Sequence, residues 1–588
     1  MLEVGDEDTT AMKADSVPVS IRQQVSTAPS ERSIWTSVQD ETTFRQAAVD
    51  LALTTSECPW DADIGLPPLP GAPHIGDYID VPQPQPERED KYILSEQIEH
   101  RLANDFALIA ASREAVFSVT AACVEEHADT GGHLKGLKLW LAANEGVSEE
   151  LKDSLTDIWD CLSHSTSEAE TLGKVFAKIV YLNRLRIYQR VRKAVGHPPI
   201  FREKGRTRTN PDDKLSRAFS RMLKSHTKGS SQRLTAQGHE LVRRGIALNV
   251  NLLALLESLS VDEIEHGSDD VLGQLEGISK ECFNVTTDGG RVSFKHLLVE
   301  SGLDARIWLK SKYVGEVDKI GVYWRITMSL FKIHGHISRG RPQALPPLKL
   351  EIEGVRPYVS VIKEPSIQGR PMPCYVHAEI QLITHLVQQD ARADLNSSST
   401  QPTVSRRPRI IGASKSACFL CFLFLNCYQG PKAPATHGRL YDQWTVPDLF
   451  EYTATHSDHL RQTLRLMHIA MVRLREDYCL KKPRDHPMTS RVDIDRLSLF
   501  TTTSEPDTYP RSVGMESQDE AGLIGRASSG YIRHEVLEGP CISIGAFREA
   551  ESCPADNIKQ EENDRTPHEG QLHGLRALFE KLRIKMGI

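Results

Sequence analysis

The stretch IGASKSACFLC, residues 411–421, decides the fold when it is read with His377-Ala378-Glu379 upstream of it. One histidine and two cysteines (His377, Cys418, Cys421) make a three-ligand protein set for Zn²⁺. Zinc prefers four tetrahedral ligands, and a catalytic site leaves the fourth position to water. Cys418 and Cys421 stand at i,i+3, so one helix turn presents both sulfurs to one metal. The spacing predicts a helix starting at Cys418, where the positive end of the helix dipole favours thiolates. His377 is expected at the start of a second helix, about 377–389. Glu379 need not bind the metal. Zinc lowers the pKa of its water from about 15.7 to about 7, and a carboxylate beside that water can move protons.

Working outward, Leu348, Leu350 and Ile352 alternate with charged residues as a half-buried strand does, and Val359 and Val361 alternate too. A two-strand pairing across Gly354–Pro357 is expected. A polar loop, 390–407, follows the first helix, and Arg409–Ala413 (RIIGA) reads as a short buried strand before Cys418. The order strand, strand, helix, strand, helix predicts a layered α/β domain over 346–480. A further helix is expected over about 458–476, with Leu460, Leu464, Met467, Met471 and Leu474 on one face.

H-x-E followed by P-C-x-x-C is the signature of zinc base deaminases, with the glutamate outside the coordination sphere. Here Ala417 stands where that signature has proline, a residue that shapes the turn without binding metal. Together with THGRLYDQW at 436–444, the string at 411–421 resembles the cytidine deaminase-like zinc-dependent superfamily of nucleic acid and nucleotide deaminases. The resemblance is to a branch frequent in filamentous fungi and related to bacterial toxin-type deaminases. It covers roughly 350–450. It implies a three-layer domain with a mixed five-stranded sheet flanked by helices, preceded by a long helical region. It also implies His377, Cys418 and Cys421 as zinc ligands and Glu379 as the acid/base. A purely structural zinc site would need a fourth protein ligand, for which Cys374 and Cys427 are the candidates.

Residues around the motif carry weaker expectations. Tyr441 and Trp444 could stack on a base or pack the domain, His437 could touch substrate or cap a turn, Ser414 could bond within the loop before Cys418, and Lys415 could approach a phosphate. His334 and His336 (IHGH) have no cysteine or carboxylate partner nearby in sequence and read as core or surface residues.

The flanks divide by composition. Residues 1–90 are Ser-, Thr-, acidic- and Pro-rich and are expected to be mostly disordered, with one short docked helix at Phe44–Leu53. Residues 91–345 carry helical periodicity, with long helices expected over 91–126, 167–195, 234–258 and 318–337. Residues 481–588 form a polar C-terminal extension, partly disordered, with a last amphipathic helix over Gln571–Lys585. The stretch 184–244 holds seventeen Lys/Arg against four Asp/Glu, so nucleic-acid contact there is an expectation. The net charge of −8 argues against the whole molecule being a polyanion binder.

No secretory signal stands at the start. The most apolar run, Ala417–Tyr428, is broken by Asn426 and falls short of the roughly 18 residues of a membrane span. Eleven scattered cysteines with one CxxC pair fit reduced thiols plus a metal site, hence a cytoplasmic or nuclear location. Two functions follow. The first is a hydrolytic deaminase of a cytosine- or adenine-type base, free or in nucleic acid. The second is a non-enzymatic interaction protein with a structural zinc site, whose helical region is the partner surface.

Overall fold

The computed structural model describes residues 33–36, 40–54, 92–113, 119–163, 167–197, 235–285, 294–301, 312–342, 345–364, 366, 369–395, 404–433 and 436–480, and all of them fall in one compact unit. The expected helix at 571–585 and most of 1–90 lie outside the described residues.

The centre of the sheet comes from a place the sequence pattern did not suggest. Helix α2 (Glu96–Ala110) ends well before 126, and the last residues expected in it belong to β1 (Thr120–Ala128), which forms a hairpin with β2 (Leu134–Ala143). The turn between them has a clear local cause. Asp129 N–H donates to the His133 carbonyl at 2.9 Å, and the Asp129 carboxylate accepts the His133 N–H at 2.8 Å. Gly132 sits at φ +79°, which glycine adopts without a Cβ penalty. The strands pair antiparallel from Thr120↔Ala143 onward. Both are buried on both faces, so their apolar residues run nearly continuously and resemble a helix segment in sequence.

After the hairpin the chain makes a long helical excursion: α3 (Glu149–Ser163), α4 (Glu168–Ala194), α5 (Ala236–Ser258), α6 (Val261–His266), α7 (Asp269–Asn284), α8 (Phe294–Glu300) and α9 (Lys312–Arg339). Three of these coincide with the helices expected at 167–195, 234–258 and 318–337. The chain then returns to the sheet as β3 (Lys349–Gly354), which pairs parallel with β2. The expected pairing across Gly354–Pro357 does not form: the Val355 N–H still donates to the Leu141 carbonyl of β2 at 2.8 Å, so the chain runs on past Gly354 instead of turning back on β3. Instead β4 (Val361–Lys363) pairs with β5 (Met372–Cys374) in a separate two-stranded ribbon. Helix α10 (Ala378–Leu395) follows, then β6 (Val404–Arg406) and β7 (Gly412–Ala413), which both pair antiparallel with β1. The mixed five-stranded sheet runs β3-β2-β1, with β6 and β7 sharing the far side of β1. Helices α11 (Phe419–Tyr428) and α12 (Ala454–Leu480) are the last elements among the described residues. Among the described residues no helix is long and apolar enough to cross a membrane.

Side chains alternate across the sheet between two cores. Ala122, Val124, Leu137, Leu139 and Leu141 face one core with Phe106 of α2 and Trp159, Phe176 and Leu330 of the helical excursion. Ala121, Cys123, Trp140, Ala142 and Ala413 face the other, with Ile380, Phe424 and Met467 of α10, α11 and α12. The three layers are therefore helices, sheet, helices. His334 belongs to the first core. Its Nε2 is 3.1 Å from Ser163 Oγ, its ring stands edge-on to Trp159, and burial pushes its pKa down to about 4. The helix expected at Phe44–Leu53 forms as α1 (Glu41–Thr54) and packs into the second core through Phe44, Ala48 and Leu51.

Candidate metal centre

Two helix starts meet at one point. Cys418 is the N-cap residue of α11, and its sulfur accepts the Cys421 N–H at 3.4 Å. His377 immediately precedes α10, its carbonyl accepting the Gln381 N–H at 2.9 Å. His377 Nδ1 lies 3.4 Å from Cys418 Sγ and 3.5 Å from Cys421 Sγ. Zn–N near 2.05 Å and Zn–S near 2.3 Å at tetrahedral angles require N···S separations of about 3.6 Å. The observed spacing therefore fits one zinc ion on one nitrogen and two sulfurs. All three ligand atoms lie within 4.8 Å of one another. Neither Cys374 nor Cys427 is part of this cluster: the Cys374 thiol lies 3.9 Å from the Asp442 carbonyl, and burial pushes the Cys427 thiol up to about 12.

The electrostatics suit that donor set. Burial alone would raise the Cys418 thiol, but hydrogen bonding from Cys421 and the charge and hydrogen bond of His377 outweigh it and hold it well below the usual thiol range. Burial opposes protonation of His377, yet the Cys418 sulfur raises it overall. Glu379, 4% exposed, places Oε2 3.5 Å from Cys421 Sγ. Burial first, and the Cys418 charge second, raise the Glu379 carboxyl above the usual carboxylate range. That is the direction required of a carboxylate that exchanges protons near neutral pH.

The segment entering α11 is pinned by residues far away in sequence. The Glu99 carboxylate, on α2, accepts the N–H groups of Arg409 (2.6 Å) and Ile410 (3.1 Å) and the Arg409 Nε (2.7 Å). Asn104 Oδ1 accepts the Ala413 N–H at 3.2 Å. Ser414 Oγ accepts the Thr120 N–H, and the Ser414 N–H donates to the Thr120 carbonyl. Gly412 passes so close to α2 that a Cβ there would stand 2.3 Å from the Ala103 carbonyl carbon. Glu99, Asn104 and Thr120 carried no signal in the motif, since their roles depend on a sheet whose middle strands precede the helical excursion.

The loop at 436–446 joins both ligand segments. Thr436 Oγ1 and the His437 N–H both donate to the Ala417 carbonyl, and the Phe419 N–H donates to the Arg439 carbonyl at 2.9 Å. On the other side, the Tyr375 N–H donates to Gln443 and the Thr445 N–H to Tyr375, two residues before His377. Tyr441 is 43% exposed and its ring centroid is 6.3 Å from that of His377, with His437 edge-on to it at 5.8 Å. Trp444 is buried between Phe44 and Phe424. Lys415 is exposed on the approach to Cys418. In the basic stretch, Arg184 donates to the Ile264 and Glu265 carbonyls, Arg186 to those of Leu108 and Ala111, and Arg190 faces Glu316. Residues 198–234 of that stretch lie outside the described residues.

Residues 376–448 match the family described as OTT_1508-like deaminase. The matched span begins one residue before His377 and contains Glu379, both cysteines and the loop at 436–446. The chain thus carries a deaminase-like domain, and its His/Cys/Cys cluster fits a zinc site. No curated protein and no solved structure matches the chain.

Proposed function

We propose that this chain is a zinc-dependent hydrolytic deaminase acting on a cytosine- or adenine-type base, free or in nucleic acid. One observation carries the reading: a three-ligand cluster has a buried carboxyl beside it that is not a member of it. His377, Cys418 and Cys421 would hold the ion, which supplies an activated water when bound. Glu379 takes the proton released on that side and returns it to the departing amino group, so its raised affinity for protons matters. Tyr441 forms the open side of the site, where a planar ring meets an aromatic edge. The loop at 436–446 sets how far that ring enters. The basic stretch at 184–244 is proposed to contact phosphates of a polymeric substrate through its segment at 198–234. Seven reduced cysteines among the described residues support a cytoplasmic or nuclear location.

A second reading has one observation in its favour. Glu379, Cys418 and Cys421 are almost fully buried, as in a zinc-stabilised binding module whose helical region meets the partner. Ammonia release from a panel of nucleosides, nucleotides and single-stranded nucleic acids separates the two. Wild type should release ammonia from at least one member, and Glu379→Ala should lose about 10²–10⁴-fold while keeping its zinc. Absence of release from every member, with zinc bound, selects the binding module.

A further inference from the structure

Helix α1 and the site loop are some four hundred residues apart in sequence, yet one buried side chain joins them. Arg45 is 5% exposed and its guanidinium donates from Nη1 to the Trp444 carbonyl (3.3 Å) and from Nη2 to the Asp442 carbonyl (3.0 Å). Asp442 and Trp444 flank Gln443, whose carbonyl receives the Tyr375 N–H at 2.7 Å. The guanidinium therefore holds the turn that bridges to the backbone two residues before His377. The same turn carries Tyr441 at one end, and its Trp444 indole packs against Phe44 from α1 and Phe424 from α11. The Trp444 indole N–H has no oxygen or nitrogen partner and borders the Cys421 sulfur, which can accept it.

The rest of the N-terminal segment is fastened to the same region. Ser33 Oγ and the Ile34 N–H both donate to the Asp448 carboxylate, and Arg461 Nε donates to the Ser33 carbonyl. Lys363 pairs with Glu41 at 2.6 Å, and Arg475 with Asp50 at 2.6 Å. A buried guanidinium stays only where its donors find acceptors, because an unpaired buried charge is strongly destabilising. Two backbone carbonyls of the site loop are among its acceptors, which ties the loop to the docked α1.

We propose that Arg45 is a positioning residue of the metal centre, through which helix α1 holds the 441–445 turn and, by way of Tyr375 and Trp444, sets His377 and Cys421. The metal-binding part of this proposal rests on the zinc reading given above; the loop-holding part does not.

The test uses the full chain with Arg45→Met, which keeps most of the apolar stem and removes the donors, and Arg45→Lys, which keeps one donor group. Arg475→Ala, which loosens α1 at its seam with α12, serves as the control. The first readout is the rate of trypsin cleavage after Arg439, an exposed residue whose carbonyl accepts the Phe419 N–H at 2.9 Å, so that cutting requires the loop to leave that bond. Arg45→Met should speed it about tenfold, Arg45→Lys less, and Arg475→Ala hardly at all. The second is zinc affinity by chelator competition, with the visible bands of the cobalt-substituted protein. Arg45→Met should weaken zinc about 10–100-fold and alter the bands, with partial rescue in Arg45→Lys. Unchanged cleavage after Arg439 in both Arg45 variants overturns the proposal, as does an equal response to Arg475→Ala. Wild type without zinc, but with Arg439 protection lost on substitution, would sink the zinc reading and leave the loop-holding role standing. If Arg45→Met does not fold, the graded response of Arg45→Lys against Arg475→Ala decides.

Discussion

Along β2, Leu137, Leu139 and Leu141 enter the core shared with the helical excursion, while Trp140 and Ala142 enter the core shared with the metal centre. The neighbouring strand repeats the contrast: Val124 faces the helices, Ala121 and Cys123 the site. The first face is filled by large aliphatic side chains that need only match in volume and polarity. The second sets small side chains, Ala121, Cys123 and Ala142, beside the large Trp140, whose ring packs on His385 of α10, and it is tied by directed bonds. Glu125 receives Trp140 Nε1 at 2.7 Å and also hydrogen-bonds His127 and Ser405; against burial, these bonds hold its carboxyl down at about 2. The difference teaches that one sheet serves two ends. It is a generic scaffold toward the helices and a specified frame toward the His/Cys/Cys cluster.

The largest expected effect tests whether the faces are separable. Leu139→Ala should cost about 2–5 kcal/mol in urea unfolding, as truncation of a buried leucine does, with the zinc content per folded molecule unchanged. Parallel loss of zinc would mean that the scaffold face also shapes the site. Gly412→Ala attacks the seam where the faces meet. Its Cβ would press on the Ala103–Asn104 backbone, which has no room to give. The expected cost is about 1–3 kcal/mol, and here chelators should remove zinc faster, because β7 leads directly to Cys418.

Acid should weaken the helical face. His334 is neutral in the fold, with a pKa of about 4 against 6.5 ordinarily, so the unfolded chain binds its proton first. Its contribution is full above about pH 6.5 and is lost as pH falls toward 4, by roughly 1–3 kcal/mol. His334→Gln should flatten the denaturation midpoint over that window. An unchanged slope would show that His334 is not what responds there. The smallest effect belongs to Arg475→Ala, an ion pair with Asp50 whose arginine side chain is 52% exposed. About 0.2–1 kcal/mol is expected, falling with salt, as followed by thermal unfolding at two ionic strengths.

The His377/Cys418/Cys421 cluster was legible because its chemistry is local. An i,i+3 cysteine pair at a helix start, and a histidine with a glutamate two residues on, report their geometry through spacing alone. The long helices at 168–194, 236–258 and 312–339 were legible for the same reason, through their 3.6-residue period. The hairpin at 120–143 was not. Buried on both faces, TAACV and LKLWLAA lose the alternation that marks a strand, and only the Asp129–His133 turn with its Gly131-Gly132 pair signalled a reversal. With β2 unseen, β3 had no visible partner, and a local pairing with the next strand was the natural but mistaken expectation. Glu99, Asn104 and Arg45 escaped notice because a buried polar side chain shows its purpose only when its distant acceptor or donor is placed.

The order of strands along the chain also bears on how the protein is made. The hairpin leaves the ribosome early, but β3 and the β6–β7 pair that flank it lie beyond the whole helical excursion. At about 5–20 residues per second of synthesis, Ala143 precedes Gly412 by roughly fifteen seconds to a minute. The β2 edge has no native partner until β3 is made, and the β1 edge none until β6 and β7, so apolar strand edges stand open for much of that interval. Versions cut short before residue 412 are the ones expected to aggregate.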